Sequence, residues 1–87
     1  MRIFYARRFV RNFKRLSPVL KERVRERQAI FIADRRHYLL RDHALHGVLL
    51  GYRSFSITGD ISVLYEEVEA SAVRLIDIGT HHELYGS

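Results

Sequence analysis

Gly51-Tyr52-Arg53-Ser54-Phe55-Ser56-Ile57-Thr58-Gly59-Asp60-Ile61-Ser62-Val63-Leu64-Tyr65-Glu66-Glu67 is the stretch whose reading decides the fold. Its first half alternates, with Arg53, Phe55 and Ile57 on one face, the two-residue period of an extended strand. Thr58-Gly59-Asp60 is a tight-turn signal, and Ile61 to Glu67 is again rich in strand-forming residues, so the pair predicts a β-hairpin. Downstream, Glu69-Ala70-Ser71 turns the chain into Val73-Arg74-Leu75-Ile76-Asp77-Ile78, a third strand of the same meander. The closing Gly79-Thr80-His81 reads as a glycine-led turn that presents a histidine, with Tyr85 four residues later.

Upstream the period changes. Phe9, Val10, Phe13 and Leu16 follow i, i+1, i+4, i+7, one helical stripe surrounded by Arg7, Arg8, Arg11, Lys14 and Arg15. Ser17-Pro18 ends it, because proline disfavours helix in the residue before it. The same dipeptide is a good N-cap and N1 pair for a second helix. That helix is predicted from Pro18 to about Ala33, with Leu20, Val24 and Phe31 on its apolar face. Arg27 falls on the same stripe and has to snorkel or sit at its edge. Ile3-Phe4-Tyr5-Ala6 is a short first strand. The segment from Asp34 to Gly47 is neither cleanly helical nor stranded and carries His37, His43 and His46. The fold class is therefore α+β in the order β-α-α-β-β-β. It places an N-terminal helical hairpin on a mainly antiparallel four-stranded sheet, with residues 1–87 forming a single domain.

Charge is distributed unevenly along the 87 residues. Residues 1–41 hold 13 of the 15 Lys and Arg against Glu22, Glu26 and Asp34, while residues 42–87 hold Arg53 and Arg74 against seven acids. Thirteen of the cations are arginine, which bonds phosphate in bidentate fashion and stacks on bases. A basic half on a small domain fits a polyanionic partner, nucleic acid or an acidic protein; the plain alternative is a solvated helical face. No apolar run approaches the ~20 residues of a membrane span, and no secretory signal is recognisable, so the chain reads as a soluble cytoplasmic domain with no membrane partner. The absence of cysteine removes disulfides and thiolate chemistry.

No metal site is expected, because adjacent His81 and His82 diverge on any regular element and no tight His/Asp/Glu cluster accompanies them. No phosphate-cradling glycine loop and no nucleophile elbow is present, and no cofactor is implied. Cleavage of RNA by its own 2′-hydroxyl asks for less: a group to take the 2′-OH proton, a group to protonate the departing 5′-oxygen, and cations for the charged intermediate. His43, Asp60, His81 and Tyr85 are the candidate proton-handling residues, and Arg53 is the candidate phosphate contact. Each has an ordinary reading as well. His43 could be a bonded loop residue, Asp60 a turn residue, Arg53 a snorkelling strand cation, and Tyr85 packing for the C-terminus.

Asp42-His43-Ala44-Leu45-His46-Gly47, Gly51-Tyr52-Arg53, Asp60, Gly79-Thr80-His81 and Leu84-Tyr85-Gly86, taken in this order and spacing, resemble the RelE/YafQ superfamily of bacterial type II toxins, and most closely its YafQ branch. The resemblance spans essentially the whole chain. It implies the microbial-RNase-like fold and an mRNA interferase that cuts translated mRNA in the ribosomal A site. It also implies inhibition by a cognate antitoxin in a toxin–antitoxin hetero-oligomer. Carried over by motif, His43, Asp60, His81 and Tyr85 are the functional set, with His81 as general acid and His43 or Asp60 as base. The chain departs from that branch at Ser56, where a histidine is expected, at Asp77, where an arginine is expected, and at Ile61, where a tryptophan is expected. Tyr85 replaces a phenylalanine. The competing reading is a non-catalytic or degenerate module of the same fold that binds RNA or an antitoxin, or poisons gyrase as ParE relatives do. The Gly-Thr-His and aromatic tail favours the nuclease.

Overall fold

A strand opens the chain, β1 (Arg2–Tyr5), followed by α1 (Arg7–Lys14) and α2 (Pro18–Ala33); the computed structural model describes residues 1–86. The Ser17-Pro18 signal works as its chemistry demands. Ser17 is extended and its hydroxyl accepts the Leu20 N–H at 3.2 Å, while Pro18 occupies the first turn, where an N–H would have no partner. After two 3-10 turns (Tyr38–Leu40 and Gly47–Leu49) that flank a two-residue strand, β2 (His43–Ala44), come β3 (Arg53–Ser56), β4 (Ile61–Glu69) and β5 (Ala72–Thr80). A one-and-a-half-turn helix, α3 (His81–Tyr85), closes the described chain.

The sheet has the order β1-β5-β4-β3-β2, with β1 parallel to β5 and every other pair antiparallel. The sheet has five strands, not the four expected. The addition is β2, whose His43 and Ala44 pair with Ser54 and Arg53. Two residues are too short to show a period of two, so only the tertiary pairing reveals them. The glycine-led turn is also corrected: Gly79 lies within β5, and Thr80 is the N-cap of α3.

The core joins helices to sheet through Phe9, Val24 and Phe31 on one side and Phe55, Ile57, Val63, Tyr65, Val73, Leu75 and Ile78 on the other. Phe31 stacks on Phe55 at 4.5 Å and meets the edge of Tyr65 at 5.1 Å, an aromatic arrangement that adds about 0.5–1.5 kcal/mol per pair beyond area burial. Between β4 and β5 the register slips where Leu64 pairs with Asp77 and Tyr65 with Leu75, leaving Ile76 as a bulge. The slip resets the alternation, so Ile78 joins the core while Asp77 does not. Asp77, buried, accepts from Asn12 Nδ2 of α1 at 2.7 Å and from the Ile78 N–H at 2.8 Å. It ties α1 to the central sheet and is spent on that bond.

Candidate active site

His43, His46, Ser54, Ser62, His81 and Tyr85 line one open groove of about 440 Å³, on the side of the sheet where β2 meets β3 and α3 folds back. The residues come from three distant parts of the chain, and each is held by a local device. His43 lies on β2 opposite Ser54, and its Nδ1 is 2.7 Å from the Arg41 carbonyl. That contact makes Nδ1 the protonated nitrogen and leaves Nε2 as the free acceptor. His81 is the first residue of α3, exposed, and meets the Tyr85 ring edge-on at 4.5 Å. Tyr85, one helical turn on, donates its hydroxyl to Ser54 Oγ at 3.0 Å and so anchors α3 to β3.

The entrance to α3 is fixed by a reciprocal cap. Thr80 Oγ1 accepts the Glu83 N–H at 3.1 Å, and Glu83 Oε1 accepts the Thr80 N–H at 2.7 Å. The Thr80 N–H, and then the Thr80 hydroxyl, holds the Glu83 carboxyl below its usual 4.5. Gly79 is required for this geometry by space alone, since a Cβ there would stand 2.9 Å from Glu83 Oε1 and 3.2 Å from Glu83 Cβ.

Behind the groove sits an ionic knot. Asp42, whose side chain is 5% exposed, accepts from the Tyr65 hydroxyl at 2.7 Å and from Arg53 Nε at 3.2 Å, and lies 3.5 Å from Arg35 Nε. Arg35 also pairs with Glu67 at 2.9 Å. Burial pushes the Tyr65 hydroxyl up, and its bond to the Asp42 carboxylate pushes it further. Burial alone would lower Arg53, but the bond to Tyr65 and the charge of Asp42 outweigh it and the guanidinium is raised. The knot seats the residue immediately before His43.

The structure thus brings His43, His81 and Tyr85 together and leaves two candidates outside the groove. Asp60 is exposed in the β3–β4 turn, where its N–H bonds Thr58 Oγ1 at 3.1 Å. Arg53 is turned to Asp42 and Tyr65, away from the lining. Three polar lining residues, His46, Ser54 and Ser62, were not among the candidates from the sequence. Ser54 shows its importance only through Tyr85, and His46 was visible as one more imidazole in a segment without a period. Among the described residues no group of three or more His, Asp or Glu side chains is clustered as a metal site would require, and no arginine lines the groove.

A family model described as the bacterial toxin of type II toxin–antitoxin systems, YafQ, matches residues 1–86. The chain belongs to the YafQ family. Solved structures agree in fold with this YafQ-family chain. YafQ from Escherichia coli BL21(DE3) is 22% identical with a TM-score of 0.78, covering 99% of this chain and 100% of its own. A YoeB/ParE toxin from Agrobacterium tumefaciens is 16% identical with a TM-score of 0.76, covering 93% and 99%. The RelBE2 toxin–antitoxin complex from Mycobacterium tuberculosis contains a chain 17% identical with a TM-score of 0.73, covering 92% and 96%. The E. coli YafQ fold has also been solved in a complex with DinJ. Among curated proteins compared by sequence, none matches the chain. No helix among the described residues is long and apolar enough to cross a membrane.

Proposed function

We propose that this YafQ-family toxin is a ribosome-dependent endoribonuclease that cuts mRNA through the RNA's own 2′-hydroxyl. The observation that carries the reading is the convergence of His43, His81 and Tyr85 on one groove. In the proposed reaction His43 Nε2 takes the 2′-OH proton as the oxygen attacks phosphorus. His81 protonates the departing 5′-oxygen, leaving a 5′-hydroxyl end and a 2′,3′-cyclic phosphate. Tyr85 positions His81 through their edge contact and adds a hydroxyl at the rim. Asp60, outside the groove, serves the RNA path or the alternative base. No metal and no cofactor is needed for these steps. The domain spans 1–87, acts in the cytoplasm, and is held inactive by a cognate antitoxin, as the complexes of its structural neighbours support.

The test is induction in a bacterial host followed by mapping of mRNA 5′-ends, wild type against His81→Ala and His43→Ala. Codon-phased 5′-hydroxyl ends that fall by ~10²–10⁴-fold in either variant are expected when a proton-transfer group is lost. Equal toxicity from wild type and variants, with no new ends, would replace this reading by a binding module of the same fold. That second reading draws on the positions of Asp60 and Arg53 away from the groove.

A further inference from the structure

The candidate groove holds imidazoles and no guanidinium, yet a phosphate must be held beside it if the proposed reaction is correct. A second cavity of about 350 Å³ lies where α2 passes the 3-10 turn at Tyr38–Leu40 and the tip of the β3–β4 hairpin. Arg23 and Arg27 of α2, together with Arg41, line it, the hairpin residues Thr58 and Gly59 form its far wall, and it has no acid in its lining. Arg27 is the unusual member. Its Nε and Nη1 are shut off from solvent and have no hydrogen-bond partner among the described residues. Two of its three nitrogens are thus buried without a partner in a half-buried side chain, an arrangement whose cost a neighbouring anion's charge would offset. Arg27 sits on the otherwise apolar stripe of its helix, between buried Val24 and Phe31, so its inward aim is built into α2. Arg41, too, adopts a left-handed backbone, with φ 49°, a conformation non-glycine residues hold only when their surroundings impose it.

We propose that this acid-free cavity, lined by Arg23, Arg27 and Arg41, is an oxyanion subsite that takes an RNA phosphate next to the one being cleaved. Two links place it against the groove. Arg41 lends its carbonyl to His43 Nδ1 at 2.7 Å. Ser56 of the cavity pairs across the hairpin with Ser62 of the groove, a step of about 4.8 Å between strands. The two cavities are therefore neighbours across one hairpin, a span of roughly one or two nucleotides at the ~3.4 Å charge spacing of a nucleic-acid strand. Arg27 Nη2, the one nitrogen of that guanidinium not shut off, is left to donate to a phosphate oxygen, and Arg23 and Arg41 supply the remaining charge and donors. The subsite deepens the nuclease reading and rests on it for the identity of the ligand.

The test measures binding rather than cutting, so it stands apart from the nuclease reading. The purified chain is titrated with a 2′-O-methylated oligoribonucleotide, which it has no means of cleaving, over a series of salt concentrations. Arg27→Met keeps the apolar stem and removes the fork; binding is expected to weaken about tenfold at low salt, and the slope of log K against log salt to fall by ~0.7, one phosphate on a single strand. Ser17→Ala, whose cap lies in neither cavity, is expected to leave affinity and slope unchanged. Arg41→Gly, which relaxes a left-handed position while removing a second cation, gives the same direction of change and serves if Arg27→Met fails to fold. Inorganic phosphate should shift the Thr58 and Gly59 amide resonances of the wild type and not of Arg27→Met. An unchanged affinity and slope in both arginine variants overturns the subsite. So do shifts produced by acetate and a glutamate-rich peptide but not by phosphate, which would assign the cavity to a protein carboxylate. Normal Arg27-dependent binding with no cleaved mRNA in cells would instead remove the nuclease reading and keep the subsite.

Discussion

Replacing Asp42 by alanine should separate the stability of the fold from the chemistry of the groove. In the native chain this carboxylate is 5% exposed and satisfies the buried Tyr65 hydroxyl and Arg53 Nε, with Arg35 nearby. Removal leaves a phenol with no exposed surface and no acceptor, and an Arg53 side chain, 28% exposed, that keeps only the Tyr65 oxygen. Breaking a fully buried ion pair costs ~3–5 kcal/mol. The partial exposure of both arginines and the second partner of Arg35, Glu67, reduce that figure, and about 3 kcal/mol remains a reasonable expectation. A loss of that size corresponds to a fall in Tm of roughly 12–24 °C for a domain under 100 residues.

The assay is urea unfolding of the purified chain, with the slope m compared so that only the midpoint carries the loss. Tyr65→Phe, which removes one donor and leaves Asp42 its arginines, should lose about 1.5 kcal/mol. The Asp42→Ala, Tyr65→Phe pair should be non-additive, since both break the same bond. Losses below 1 kcal/mol in Asp42→Ala, or strict additivity with Tyr65→Phe, would refute the claim that this knot holds the segment leading to His43.

Tyr65 also gives the molecule an alkaline limit. Its hydroxyl is raised above the ordinary 10.0 by burial and by Asp42, so its contribution is complete below pH 10 and is lost as pH rises from there toward the folded value. Stability should fall by ~1.4 kcal/mol per pH unit in that window, a component absent from Tyr65→Phe in pH-dependent urea melts. Glu83 acts in the opposite direction: its carboxyl is lowered from 4.5 by the Thr80 N–H and hydroxyl, so α3 capping is intact above pH ~4.5 and weakens as pH falls through the folded value. The protection factor of the Thr80 amide against hydrogen exchange should fall in acid, and Glu83→Gln should show much less pH response. Gly79→Ala forces a Cβ to within 2.9 Å of Glu83 Oε1; loss of the cap should cost ~1 kcal/mol, move the His81 ring resonances, and reduce cleavage, whereas Ser17→Ala, a cap of similar size far from the groove, should cost stability without changing cleavage.

The parts of the fold that were legible in the chain are those carried by period or by turn chemistry. The Arg53–Glu67 hairpin, the Ser17-Pro18 boundary and the bounds of α2 all rest on local rules, and all appear as expected. The misses rest on pairings that no local rule encodes. Strand β2 exists because His43 and Ala44 find Ser54 and Arg53, and the bulge at Ile76 exists because β4 and β5 must both feed the core. Helix α3 is different: Thr80-His81-His82-Glu83 is a readable capping box, but five residues are too few to show a helical period. In the candidate site, the motif order named His43, His81 and Tyr85, which the fold places on one groove, but no spacing shows that Arg53 turns to Asp42 or that Ser54 receives Tyr85.

The uneven charge of the chain has its physical explanation at one peptide bond. Arg41 is the last cation of the basic half and Asp42 the first acid of the other. Arg41 faces the cavity with Arg23 and Arg27, while Asp42 turns inward to neutralise Arg35 and Arg53. Arg23 and Arg27 of α2 line that cavity with no acid beside them, whereas Arg35 and Arg53 are consumed by the fold. Had Asp42 faced the cavity, it would have quenched the guanidinium groups there; had Arg53 lacked Asp42, a second cation would have stood over the aromatic core unpaired. His43 follows directly, fixed on one side by the Arg41 carbonyl and on the other by pairing with Ser54. Three consecutive residues thus serve three ends, an anion cavity, a buried ionic knot and the groove. A one-residue slip here would exchange those roles, because alternation in an extended segment sends neighbours to opposite faces.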